Sequence, residues 1–192
     1  MLPIILASSS PYRRELLSRL AIDFDCISPD IDESALPDES PEQLVSRLAQ
    51  QKAQAVAANY QQHLIIGSDQ VASLGQTILT KPGNSEKAKA QLGACSGKTV
   101  TFYTGLSLLN SKTGQQRACV ELFSVKFRVL DETTIERYIS AEQPLDCAGS
   151  FKVEGLGISL FEHLIGDDPN SLVGLPLIKL VDMLKTEGIA IP

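Results

Sequence analysis

The 192-residue sequence predicts an α/β fold of mixed, α+β character in two lobes, and three observations carry that expectation. Short apolar runs at Ile4 to Ala7 and Leu64 to Ile66 are too short for helices and read as buried strands. Segments with apolar residues at helical spacing alternate with them. Thr99 to Leu109 and Arg117 to Leu130 form a long hairpin, an antiparallel element within that alternation.

The first strand leads into Ser8-Ser9-Ser10-Pro11 and then a helix with Leu16, Leu17 and Leu20 on one face. Ser10 suits the N-cap, and Pro11 the first helical position, where a missing N–H costs nothing. A serine-rich turn opening a helix points free N–H groups at an anion. Arg13 and Arg14 sit in the first turn, where cations oppose the helix dipole at about 0.3–1 kcal/mol each. A phosphate would neutralise them; so would solvent or a neighbouring carboxylate. Asp23 to Ile31 reads as a strand and loop descending to Asp30-Ile31-Asp32-Glu33, a carboxylate cluster that could hold a divalent cation or remain a solvated turn.

Ser40 and Gln43 form a capping box for a helix expected to reach about Asn59. Its apolar stripe runs through Val45, Leu48, Ala49 and Val56, and Lys52 falls on the same stripe. A lysine there either snorkels to solvent or reaches a cleft. Leu64 to Ile66 is bounded by Gly67, which puts Asp69 where the strand gives way to polar residues, and a hairpin at Gly75-Gln76 returns Lys81. An anion at a strand end with a cation brought back beside it is a common way to build a site in α/β folds. The plainer alternative is a strand-capping aspartate and a surface lysine.

Ser85 is the expected cap of a short helix to about Ala94, and Ser96-Gly97 turns the chain into the hairpin. The hairpin's return strand changes phase near Leu122-Phe123, where a bulge is expected. Asp131 caps a helix carrying Ile135, Tyr138 and Ile139, with Pro144 as its stop. Ala148 to Gly157 is a glycine-punctuated loop before a strand at Ile158 to Leu164. Gly174-Leu175-Pro176 precedes a last amphipathic helix through Leu184, stopping at Gly188.

Composition narrows the function. A net charge of −6 argues against non-specific nucleic-acid binding, though local cations could still hold a small anion. Hydrophobic content of 43% with 21% charged residues fits a folded globular chain. The four cysteines, Cys26, Cys95, Cys119 and Cys147, have no zinc-site or C-x-x-C spacing and are expected to be buried free thiols. Met1 to Ala7 lacks a preceding basic segment, and no run approaches a membrane span, so a cytoplasmic protein is expected. No Walker loop, H-E-x-x-H or G-x-S-x-G occurs. The two histidines, His63 and His163, have no evident nucleophile partner. Chemistry is then left to carboxylates, cations and metal, which suffice for phosphoanhydride hydrolysis.

The segments from Leu6 to Leu17, Asp32-Glu33, Lys52-Ala53, Ile66 to Val71, Lys81-Pro82, Ala148 to Phe151 and Gly174-Leu175-Pro176 together resemble the Maf family of nucleoside triphosphate pyrophosphatases. The resemblance runs in order from Leu6 to about Leu184, which makes residues 1–192 a single Maf-like domain. It implies a two-lobed fold akin to inosine triphosphate pyrophosphatases, with a central mixed sheet and a cleft between lobes. It also implies cleavage between the α- and β-phosphates of a nucleotide with a divalent metal, Mg²⁺ or Mn²⁺. Carried over by residue, Asp69 is the proton acceptor for water. Ser8, Arg13, Lys52 and Lys81 hold the phosphates, and Glu33 with Asp69 binds metal. Tyr12, Gln70 and Glu154 match the subgroup acting on 7-methyl-GTP, where the pyrimidine (dTTP/UTP) branch has Arg, Thr and Gln. Methylation at N7 makes the guanine ring cationic, which an aromatic face and a carboxylate favour. The alternatives are a pyrimidine triphosphate pyrophosphatase and a non-catalytic, nucleotide-binding regulator of cell division. The expected partner is a small nucleotide, with neither nucleic acid nor membrane; a homodimer is compatible with the sequence.

Overall fold

A computed structural model describes residues 2–191 of the chain. Its strands are β1 (Ile4–Leu6), β2 (Asp25–Cys26), β3 (Leu64–Leu74), β4 (Thr77–Leu79), β5 (Thr99–Asn110), β6 (Gln115–Phe127) and β7 (Phe161–Ile165). Its helices are α1 (Pro11–Ser18), α2 (Pro41–Ala57), α3 (Ser85–Cys95), α4 (Glu132–Glu142) and α5 (Leu177–Thr186), with short 3-10 turns at Ala148–Ser150, Leu156–Leu160 and Pro169–Val173. Strand pairing follows the order β2-β1-β3-β5-β6-β7, with β4 on β3. β1 pairs in parallel with β2 and β3, whereas β3/β4 and β6/β7 are antiparallel, so the sheet is mixed. Among the described residues no helix is long and apolar enough to cross a membrane.

The chain divides into two compact units: one comprises the residues up to Gln70, Tyr103–Glu121 and those from Asp168 on; the other comprises Val71–Phe102 and Leu122–Asp167. The first unit has two apolar layers. On one side Leu6, Leu16, Leu17, Ile66, Leu106, Leu175, Leu180 and Leu184 join β1, β3 and β5 to α1 and α5. On the other, Ile5, Ala7, Ile65 and Leu109 meet Ala53 and Val56 of α2. α2 comes unusually close to the strands because Gly67 and Gly105 lie beneath it. A Cβ on Gly67 would sit 2.1 Å from the carbonyl oxygen of Ala49, and one on Gly105 2.1 Å from that of Val45. The second unit is built around an edge-to-face cluster of Phe102, Phe127, Phe151 and Phe161, with ring centroids 5.0–5.4 Å apart.

Local signals are realised where side chains bond their own backbone. Ser10 caps α1 by accepting from Arg13 N, and both halves of the Ser40–Gln43 box form on α2. Asp131 caps α4, while Asn84, not Ser85, caps α3 by accepting from Lys87 N. Other expectations are corrected. β3 does not stop at Gly67; it continues to Leu74, so Asp69 lies within the strand and not at its end. Polar residues are tolerated there because each finds a partner, and Gly67 serves close approach, not a turn. The return strand β6 keeps one phase, with Glu121, Phe123, Val125 and Phe127 buried in succession; its irregularity lies at Lys126/Phe127 opposite β7. The last strand starts at Phe161, three residues later than expected, because a 3-10 turn occupies Leu156–Leu160. Of the free cysteines only Cys95 is buried; Cys26 is exposed on the two-residue strand β2, and Cys119 and Cys147 are half-buried.

Candidate functional site

The site in the first unit begins with α2 pressed onto two glycines. That approach carries Lys52 to β3, where its Nζ lies 2.7 Å from Asp69 Oδ1 and 3.0 Å from Glu33 Oε1. Lys52 and Asp69 are 5% and 6% exposed, while the Glu33 side chain is 56% exposed. Lys52 therefore reaches a carboxylate pair instead of snorkelling. Burial pushes the Asp69 carboxyl above its ordinary value; Lys52 pulls it back, Arg13 less so, and Glu33 adds to the rise.

Arg13 reaches the same charges from α1. Burial lowers its pKa, and Asp69 and Glu33 oppose that shift, so it remains a cation facing two anions. Its Nε donates to the Gly174 carbonyl at 2.8 Å. Ser68 Oγ lies 2.8 Å from Gly105 O and 2.9 Å from Gly174 O, so its single proton is shared between two carbonyls. Arg14, the other first-turn cation, is exposed.

The serine turn behaves differently from expectation. Ser8 Oγ accepts from Ser10 N at 3.1 Å, and Ser10 Oγ accepts from Arg13 N at 3.4 Å. Two of the amides that might have met an anion are taken up by the turn's own hydroxyls. Ser8 is buried and keeps its own O–H to donate. Tyr12 is half-buried on α1.

Gln70 is one residue past Asp69 and faces the other side of β3. Its Nε2 donates to Ser171 O at 2.6 Å and Thr104 Oγ1 at 3.0 Å, and Thr104 Oγ1 donates to Ser171 O at 2.8 Å. The loop that includes Ser171 is fastened by Asp168, which is 1% exposed. Its Oδ1 accepts from Asn170 N and Nδ2, and its Oδ2 from Ile178 N at the start of α5. Lys81, just beyond β4, and Glu154, before the Leu156–Leu160 turn, are exposed residues of the second unit.

The structure thus brings Glu33, Lys52 and Asp69 into one cluster with Arg13 in electrostatic reach; Ser8 and Tyr12 lie on or before α1 in the same unit. Sequence reasoning assigned nothing to Ser68, the Gly174 carbonyl or Asp168. Only the Gly174-Leu175-Pro176 motif hinted at the second, and main-chain atoms leave little trace in residue type. His63 is structural, its Nδ1 2.9 Å from Gln61 O and its ring edge-on to Tyr60, and His163 pairs opposite Lys126 in the β6/β7 ladder.

Among the described residues no group of three or more His, Cys, Asp or Glu could enclose a metal. The pair Glu33 and Asp69 nevertheless suits a hard cation that takes one or two protein carboxylates and completes its shell with phosphate oxygens and water.

A mixed α/β chain in which a helix brings a buried lysine between two carboxylates, one of them on the central strand, with an arginine in electrostatic reach, fits the class of proteins that handle small polyanions. More particularly, the chain belongs to the Maf family: the family model for Maf-like proteins matches residues 3–187. A Pseudomonas fluorescens (strain Pf0-1) protein named 7-methyl-GTP pyrophosphatase is 62% identical over 192 residues, covering 100% of both chains. Proteins of the same name from Pseudomonas aeruginosa and Nitrosococcus oceani are 62% and 57% identical, covering 98% and 96% of this chain and 98% and 93% of their own. Among solved structures, the Staphylococcus aureus Ham1 protein overlaps 65% of this chain and 71% of its own at a TM-score of 0.43 and 15% identity, too loosely to add to the assignment.

Proposed function

We propose that the chain hydrolyses 7-methyl-GTP to 7-methyl-GMP and pyrophosphate, removing a modified nucleotide from the cytoplasmic pool. The observation that carries the chemistry is the buried Lys52 held between Asp69 and Glu33. The choice of nucleotide is supported by full-length relatives of that name at 57–62% identity.

In this reading water attacks the α-phosphorus, its proton passes to Asp69, and the bond to the bridging oxygen breaks to release pyrophosphate. The raised proton affinity of Asp69 is in the sense that a proton acceptor needs. Lys52, Arg13, Lys81 and the Ser8 hydroxyl hold the phosphates and offset charge developing on the phosphoryl oxygens. Glu33 and Asp69 would hold a divalent cation, Mg²⁺ or Mn²⁺, whose chemistry there would be Lewis-acid neutralisation of the same oxygens. Tyr12 and Glu154 favour the cationic base, and Gln70, its amide nitrogen spent on Thr104 and Ser171, offers its oxygen to the ligand.

The test is pyrophosphate release by the purified protein with Mg²⁺, comparing 7-methyl-GTP with GTP, dTTP, UTP and CTP. Preference for 7-methyl-GTP is expected. Preference for a pyrimidine retains the mechanism and discards the specificity residues. Binding without release from any nucleotide removes catalysis from the reading.

A further inference from the structure

One buried charged side chain has no place in the scheme above. Glu121 is 8% exposed, and among the described residues it has no hydrogen bond or ion pair. No buried side-chain oxygen in the described residues is sealed from solvent without a partner, so the Glu121 carboxyl oxygens open onto accessible space while its stem is buried. A carboxylate in that position is costly unless something meets it.

Its surroundings follow from the hairpin. β5 ends at Asn110 and β6 begins at Gln115, and further along the pair the Thr101 and Ser124 hydroxyls lie 3.0 Å apart. The offset between strands is the same at both places, so no residue is inserted between them and Thr104 lies opposite Glu121. The face is fixed independently. Cys119, two residues before Glu121, packs with Leu106 and Leu175 on the α1/α5 side, whereas Val120 lines a groove along α2. Glu121 therefore shares a face with Thr104, whose hydroxyl holds Gln70 Nε2 and the Ser171 carbonyl.

We infer that Glu121 is a further specificity residue, a carboxylate that accepts the N1–H and 2-amino hydrogens of the guanine ring. The inference rests on the proposed function and deepens it. A carboxylate offers two acceptors and no donor. Guanine presents two adjacent donors on its Watson–Crick edge, while uracil and thymine flank their single N–H with two carbonyl oxygens that a carboxylate repels. Glu121 thus reads the identity of the base, and the cation-favouring side chains read its methylation.

The experiment compares kcat/KM for 7-methyl-GTP and 7-methyl-ITP, which lacks only the 2-amino group, in the wild type and in Glu121→Gln. A ratio within one preparation is independent of how much of the protein is folded. The wild type should favour 7-methyl-GTP by about tenfold or more. Glu121→Gln, which turns a donor toward the ring, should bring that ratio close to one through a loss confined to 7-methyl-GTP. A wild-type ratio near one, or a ratio unchanged in Glu121→Gln, overturns the inference, and the first of these needs no variant to fold. If the wild type turns over neither 7-methylated nucleotide, the proposed function itself fails.

Discussion

Asp69 and Glu154 divide the proposed work at the level of single residues, and conservative amides separate their effects. Asp69→Asn keeps the shape but removes the proton acceptor, so kcat should fall by about 10²–10⁴-fold while nucleotide binding by calorimetry persists. Near-normal turnover would remove Asp69 from the mechanism. Glu154→Gln should erode the preference for 7-methyl-GTP over GTP more than it slows hydrolysis of either; an unchanged ranking sinks that role. Glu39 is a purely structural contrast. Arg47 grips both its oxygens, at 2.6 and 2.7 Å, and holds its pKa down from 4.5 to about 2. A depressed carboxylate contributes stability above its unfolded pKa and loses it as pH falls toward the folded one. The Tm deficit of Glu39→Gln should therefore be full near pH 7 and shrink as pH drops from 4.5 toward about 2; a deficit that stays constant would show that the ion pair is not its source.

Among the elements, α2 is the one whose position matters most, because the Gly67 and Gly105 contacts set its distance from β3 and hence the Lys52–Asp69 separation. Gly67→Ala should push the helix outward, costing about 1–3 kcal/mol from overpacking in chemical denaturation. Turnover should fall further than the folded fraction, and activity that merely tracks folding would detach helix position from the site. The helix itself was legible from Ser40, Gln43 and the stripe that included Lys52, because caps and periodicity are local. What that stripe faced was not legible, since it depends on residues in β3 and β5. β3 was cut short for the same reason. Ser68, Asp69 and Gln70 look like a strand ending until their partners, Gly174, Lys52 and Ser171, arrive from elsewhere in the chain. The apparent phase change in β6 misled because Val120 and Leu122 are apolar yet lie on the face opposite Glu121.

For the molecule as a whole, the path of the chain matters more than any one element. The first unit is assembled from three separate stretches, and the last, from Asp168, supplies Leu175, Leu177, Leu180 and Leu184 to its core. Removing residues 168–192 should leave that core open and abolish the cooperative melting transition seen by circular dichroism. A truncated chain that still melts cooperatively would show that the remaining layers suffice. The resemblance to one family was readable along nearly the whole length because its motifs fall in all of these stretches. The carboxylate at 121 was not, because its significance lies in having no hydrogen-bond or ion-pair partner among the described residues.

The carbonyl of Gly174 receives Arg13 Nε and shares the Ser68 proton. Residue 174 has φ +115°, and a Cβ there would lie 3.3 Å from Arg13 Nε, so nearly every side chain is barred from the position. The oxygen that aims the arginine is itself common to every amino acid and cannot be lost by substitution. Under the proposed function, the grip on phosphate thereby rests in part on the path of the backbone, whereas the choice of base rests on side chains such as Gln70. If that proposal holds, a lineage could exchange one base for another there without having to reinvent the grip on the triphosphate.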